Sequence, residues 1–192
     1  MNRLKDTQFR VSFNSPVILG FAGACFIVMM LNVLTGGWSS NLFVTYHSSL
    51  TSPLTYLQLL IHVLGHANWE HFFSNMLYIL LLGPLLEEKY GRKRILQVII
   101  ITALVTGLVN YLFFWNVALC GASGICFAFI ILSSFTSFKE GEIPLTFIIV
   151  AVIFLGQQIY QGITLEDNIS NITHIVGGIV GGVTGYLLNA KG

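Results

Sequence analysis

Ser123, within Gly121-Ala122-Ser123-Gly124, and His174 are the side chains whose types suit an activated nucleophile and its base. A serine hydroxyl is a weak nucleophile until a base within about 2.6–3.2 Å takes its proton. His71 and Asn75 stand four residues apart, so on a helix they share a face. With the backbone N–H of Ser123 they could donate to a developing oxyanion, where one well-placed donor contributes about 3 kcal/mol. Each residue also has a plain structural reading. Ser123 suits a helix crossing as a small residue, Asn75 suits interhelical hydrogen bonding, and His174 suits a hydrogen-bonded histidine near an interface. The catalytic reading requires that separate elements bring all four to one place.

Those elements follow from composition. Of 192 residues, 55% are hydrophobic and 9% charged, and the mean hydropathy is +0.79. Soluble domains carry about 25% charged residues. The shortfall excludes a disordered chain, a coiled coil and a nucleic-acid binder with a basic face. A spanning helix needs about 20 mostly apolar residues. Six such spans are expected, at roughly Pro16–Leu34, Trp69–Leu86, Ile95–Trp115, Ala122–Phe138, Pro144–Tyr160 and Ile172–Leu188. The first is too long for a signal-peptide core and lacks a small-residue cleavage site after it, so it is read as retained. The fold class is an all-α membrane bundle of six spans forming a single domain over residues 1–192, with about 1–15 a short cytoplasmic segment. The long first outer connection, Thr35 to Asn68, carries Trp38, Phe43, Tyr46 and Tyr56 and is expected to lie partly in the outer leaflet.

The formal charge of +1 conceals a separation. Arg3, Lys5 and Arg10 precede the first span, and Lys89, Arg92, Lys93 and Arg94 lie between the second and third. Lys139 lies between the fourth and fifth, in a tight hairpin turn, and Lys191 follows the sixth. In a six-span chain all nine cations then face one side. The positive-inside rule makes that side cytoplasmic, together with both termini, in a multi-pass protein of the cell membrane.

With this orientation His71, Asn75, Ser123 and His174 all fall about 5–10 Å below the outer surface, counting 1.5 Å per helical residue. Polar side chains inside spans are costly and usually functional. Glu70, Glu166 and Asp167 fall at the outer surface and Glu87 and Glu88 at the inner end of the second span, so no carboxylate completes a triad at this depth. The expected device is a Ser123–His174 dyad. Gly177, Gly181 and Gly185 repeat every fourth residue below His174, while Gly124 and Ala128 give the fourth span a small face below Ser123. Small faces let backbones approach closely, which would bring the serine to the histidine. Cys25, Cys120 and Cys126 show no CxxC spacing and read as small apolar filler.

These residues, taken in order, resemble the bacterial rhomboid intramembrane serine proteases. His62, His66, His71 and Asn75 reproduce the family's HxxxHxxxxHxxxN pattern. Gly121 to Gly124 match GxSG, and His174, Gly177 and Gly181 match HxxGxxxG. Glu87 followed by Gly91 matches the acidic residue and glycine that end the second helix. The resemblance implies a six-helix core and cleavage of peptide bonds in or near transmembrane segments of other proteins. It implies Ser123 as nucleophile, His174 as general base and then acid, and His71 and Asn75 as oxyanion-hole side chains. It implies structural roles for His62, His66 and Glu87, and no cofactor or metal. The partners implied are transmembrane substrates and the lipid bilayer, without nucleic acid.

Three positions depart from the pattern. Phe127 replaces a tyrosine that packs on the catalytic imidazole, Thr173 replaces an alanine before the histidine, and Leu57-Gln58 stand near a usual Trp-Arg pair. Two other readings compete. One is a rhomboid-fold protein that binds or escorts membrane clients without cleaving them. The other is a metal site or transporter built on His62, His66 and His71, which lacks an HExxH motif and Cys or Asp neighbours. The fifth span and its outer loop, Gln161 to Asn168, are the expected substrate gate.

Overall fold

The computed structural model describes residues 12–137, 142–164 and 168–189. Arg3, Lys5, Arg10, the Lys139 turn, Lys191 and the centre of the Gln161–Asn168 loop lie outside the described residues.

Every described element of length is helical. The helices are α1 (Pro16–Leu34), α2 (Pro53–Ile61), α3 (Trp69–Tyr90), α4 (Arg92–Phe113), α5 (Ser123–Ser134), α6 (Leu145–Thr164) and α7 (Asn168–Asn189). The six expected spans appear as α1 and α3 to α7, the first with both ends as read. Among the described residues, Pro16–Leu34, Arg92–Phe113 and Asn171–Leu188 are long and apolar enough to cross a bilayer. Leu77, Leu81 and Leu85 form an exposed stripe along one face of α3, a face suited to lipid rather than water.

The fourth expected span is shorter than read. Its α-helix ends at Ser134 and continues as a 3-10 turn over Phe135–Ser137. At twelve residues it is about 18 Å long, and it is enclosed by neighbours. Ile125, Ala128, Phe129 and Leu132 are fully buried, in one core with Ile18, Ile79 and Leu86.

Local chemistry fixes the ends. Pro16 begins α1, where its missing N–H costs nothing. The side chain of Ser15 does not cap this helix. Glu87 does so from α3, accepting from the N–H groups of Val17 at 3.2 Å and Ile18 at 3.0 Å. α3 stops at Gly91, whose φ of +83° suits only glycine.

The outer connection contains α2, which runs beside α4. Gly107 admits it, because a Cβ there would lie 2.6 Å from the Leu59 carbonyl oxygen. Gln58, at the departure from the family pattern, is buried and donates Nε2–H to the Asn41 carbonyl at 2.9 Å. It therefore anchors the connection by a different bond. Leu50, Leu54, Tyr56 and Leu57 are exposed on this segment.

Candidate active site

α3 carries His71 and Asn75 on its first turns. Asn68 caps this helix, its Oδ1 accepting the His71 N–H at 2.8 Å, which satisfies an otherwise orphan donor and sets where the helix begins. One turn on, Asn75 is buried among its neighbours.

Ser123 is the first residue of α5. An N–H at this position has no acceptor within its own helix, and the helix dipole favours negative charge beside it. The turn that delivers Ser123 depends on Gly121, whose φ is +117°. A Cβ on Gly121 would lie 2.5 Å from His71 Cε1 and 2.7 Å from His71 Nε2. Glycine therefore serves both the backbone conformation and the approach of the imidazole to the serine loop. The Gly121 N–H donates to the His62 carbonyl at 3.0 Å, and Thr45 and Leu119 pair through both backbone bonds, at 2.9 and 2.8 Å. The outer connection thus holds the loop in place.

α7 brings His174 by close packing on α5. A Cβ on Gly177 would collide with the Gly124 carbonyl, one on Gly181 with the Ala128 carbonyl, and one on Gly185 would lie 2.6 Å from the Phe135 ring. The small faces read from the sequence meet here backbone to backbone. The Phe127 ring packs on the His174 imidazole, with centroids 4.3 Å apart and planes inclined at 40°.

A cavity of about 630 Å³ lies between these helices, and His71, Asn75, Ser123 and His174 all line it. Ser74 and Tyr78 from α3, Cys126 and Phe127 from α5, and Val150 and Ile153 from α6 complete much of its wall. Among the described residues, no carboxylate lines it. Asn75 Nδ2 is buried and makes no hydrogen bond among the described residues. Such a donor is costly unless a ligand uses it.

His62 and His66 stand apart from this wall. His62 is buried with Nδ1 at 3.2 Å from the Gln58 carbonyl and Nε2 at 3.4 Å from Thr106 Oγ1. His66 packs edge-on against His71 at 5.2 Å and Phe72 at 5.4 Å. The four-residue spacing of His62 and His66 is not helical, because α2 ends at Ile61 and the chain turns through a short 3-10 segment to extended Gly65. Among the described residues no three His, Cys, Asp or Glu side chains come together as metal ligands.

Three further residues shape the site. Asn68 was legible as a helix cap before an apolar run. The positive φ of Gly121 leaves no mark beyond the glycine itself. Cys126, read as filler, lines the cavity and contacts Asn75.

A family model of the Rhomboid domain matches residues 53–191. Rhomboid-like protein 11, chloroplastic, of Arabidopsis thaliana is 30% identical over 139 residues, covering 65% of this chain and 49% of that protein. The chain thus spans about half the length of this curated relative. The domain match takes in α2 to α7 and every residue that faces the cavity, and the chain belongs to the rhomboid family of membrane proteins.

Proposed function

We propose that the chain is an intramembrane serine endopeptidase that cleaves transmembrane segments of other membrane proteins. One observation carries this reading. Ser123, His174, His71 and Asn75 come from three helices, and all line one cavity.

In this mechanism Ser123 Oγ attacks the scissile carbonyl carbon while His174 takes the hydroxyl proton. The carbonyl π electrons move onto oxygen, where the Ser123 N–H, Asn75 Nδ2 and the His71 ring N–H stabilise the charge. Collapse breaks the C–N bond, and His174 returns the proton to the departing amine. Water then attacks the acyl-enzyme as His174 takes its proton, and when the ester bond breaks His174 returns that proton to Ser123 Oγ. Packing helps to orient the imidazole, and the Phe127 ring is placed for that task. The cavity lies at the outer ends of the spans in the cell membrane, with both termini cytoplasmic, as the cation distribution favours.

The test is cleavage of a reporter carrying a transmembrane segment, by purified protein in bilayers. Wild type yields two fragments, while Ser123→Ala and His174→Ala yield none although both remain folded. Intact reporter with folded wild type, across a panel of transmembrane sequences, would favour a rhomboid that binds clients without cutting them.

A further inference from the structure

Asn75 can serve an oxyanion only in one of its two amide orientations. The Nδ2 end donates, whereas the Oδ1 end accepts and would repel the charge. Turning the amide over would exchange the two. Something in the protein must therefore favour one orientation.

The neighbour that distinguishes the two ends is Cys126. Its Sγ lies 3.5 Å from Asn75 Oδ1 and 3.5 Å from the Asn75 carbonyl oxygen. Both residues are buried, at 3% and 4% exposure, and both line the cavity. A thiol is a weak donor in water, but here no bulk solvent competes for the acceptor. Asn75 Nδ2 makes no hydrogen bond among the described residues. The amide is thus engaged at its acceptor end and free at its donor end. Cys126 also follows Ser123 by three residues on α5, so nucleophile and thiol sit on one rigid helix, about one turn apart.

We infer that Cys126 is a positioning residue: its thiol holds the Asn75 side chain by Oδ1 and so presents Nδ2 to the oxyanion. This rests on the assignment of Asn75 to the oxyanion site. Cysteine suits the task in a membrane interior because it is cheaper to bury than a serine yet still offers a proton.

The experiment is a double-mutant cycle on reporter cleavage, using wild type, Cys126→Ala, Asn75→Ala and the double variant. Cys126→Ala lowers kcat about fivefold with KM unchanged, the size of one ordinary hydrogen bond lost from the transition state. Cys126→Ser, which keeps a donor, restores kcat to within about twofold of wild type. In the Asn75→Ala background, Cys126→Ala changes kcat by less than about twofold, because the residue it acts through is gone. Cys126→Val fills the space without a donor and replaces alanine in the cycle should the smaller residue fail to fold. Wild-type kcat in Cys126→Ala overturns the inference. Equal losses in both backgrounds also overturn it, and they leave Asn75 in its proposed role. Wild-type kcat in Asn75→Ala removes the oxyanion assignment as well.

Discussion

Glu87 shows how one side chain can tie two elements together. It is buried at the inner end of α3, caps the first turn of α1 through Val17 and Ile18, and lies 3.9 Å from Arg92. Glu87→Ala strands those N–H groups, so thermal unfolding in detergent should show a loss of about 1–3 kcal/mol, while cleavage per folded molecule is retained. His62 and His66, in the outer connection, are the second case. Burial pushes both imidazoles down from near 6.5 to about 4, with His71 adding to the effect at His66. Between those values the unfolded chain holds protons that the folded chain refuses, so stability rises with pH across that window. The unfolding midpoint should be flat above about pH 7 and fall steadily from pH 6.5 towards pH 4; a midpoint that rises on acidification would contradict this burial. At this scale the candidate site was legible because Ser123, His174, His71 and Asn75 are polar residues in apolar runs. The role of Cys126 was not, because a cysteine among apolar residues looks the same whether or not its proton is used. The role of Gly121 depends on a dihedral angle and on the distance to His71, which no local pattern encodes.

Between elements, the α5–α7 contact decides whether serine and histidine meet. The four-residue glycine repeat announced it, and the structure places Gly177 and Gly181 against carbonyls of α5. Gly177→Val should force the helices apart, abolishing cleavage and lowering the unfolding midpoint. Gly182 also faces α5 but with room, since a Cβ there would stand 3.6 Å from Ile131 Cγ2 in ordinary packing. Gly182→Ala should therefore leave stability within about 0.5 kcal/mol of wild type and cleavage unchanged. Equal damage from the two would mean that close approach is not what α7 contributes. The same scale holds the main misreadings. The fourth span was read to Phe138, yet α5 gives way to a 3-10 turn after Ser134. Hydropathy measures apolarity and cannot tell a helix enclosed by protein from one facing lipid. The break between His62 and His66 after Ile61 depends on how α2 settles on α4, which no local pattern encodes. α6, the expected substrate gate, contributes Val150 and Ile153 to the cavity that Tyr78 of α3 also lines. Joining Tyr78→Cys to Ile153→Cys with a short bis-maleimide should suppress cleavage of transmembrane substrates, and unchanged cleavage would argue against this gate.

For the whole molecule, the ordering of charge organises the rest. Lys89, Arg92, Lys93 and Arg94 gather where α3 meets α4, while the cavity-lining residues of α3, His71 to Tyr78, lie about 17–27 Å away along the helix. That polarity is the reason for proposing an orientation with the cavity outward. Impermeant maleimide on intact cells should label Thr51→Cys but not Lys93→Cys, and the reverse pattern would invert the topology. The six spans and their order were legible because crossing a bilayer imposes a length and an apolarity that few other folds need. The convergence of three helices on one cavity needed the structure, since it depends on which faces pack. Whether Ser123 is an activated nucleophile can be read by mass spectrometry of the folded protein after a fluorophosphonate probe. A single adduct is expected on the peptide containing Ser123, absent from Ser123→Ala and strongly reduced in His174→Ala. An unlabelled Ser123 in folded wild type, or labelling that His174→Ala leaves undiminished, would contradict it.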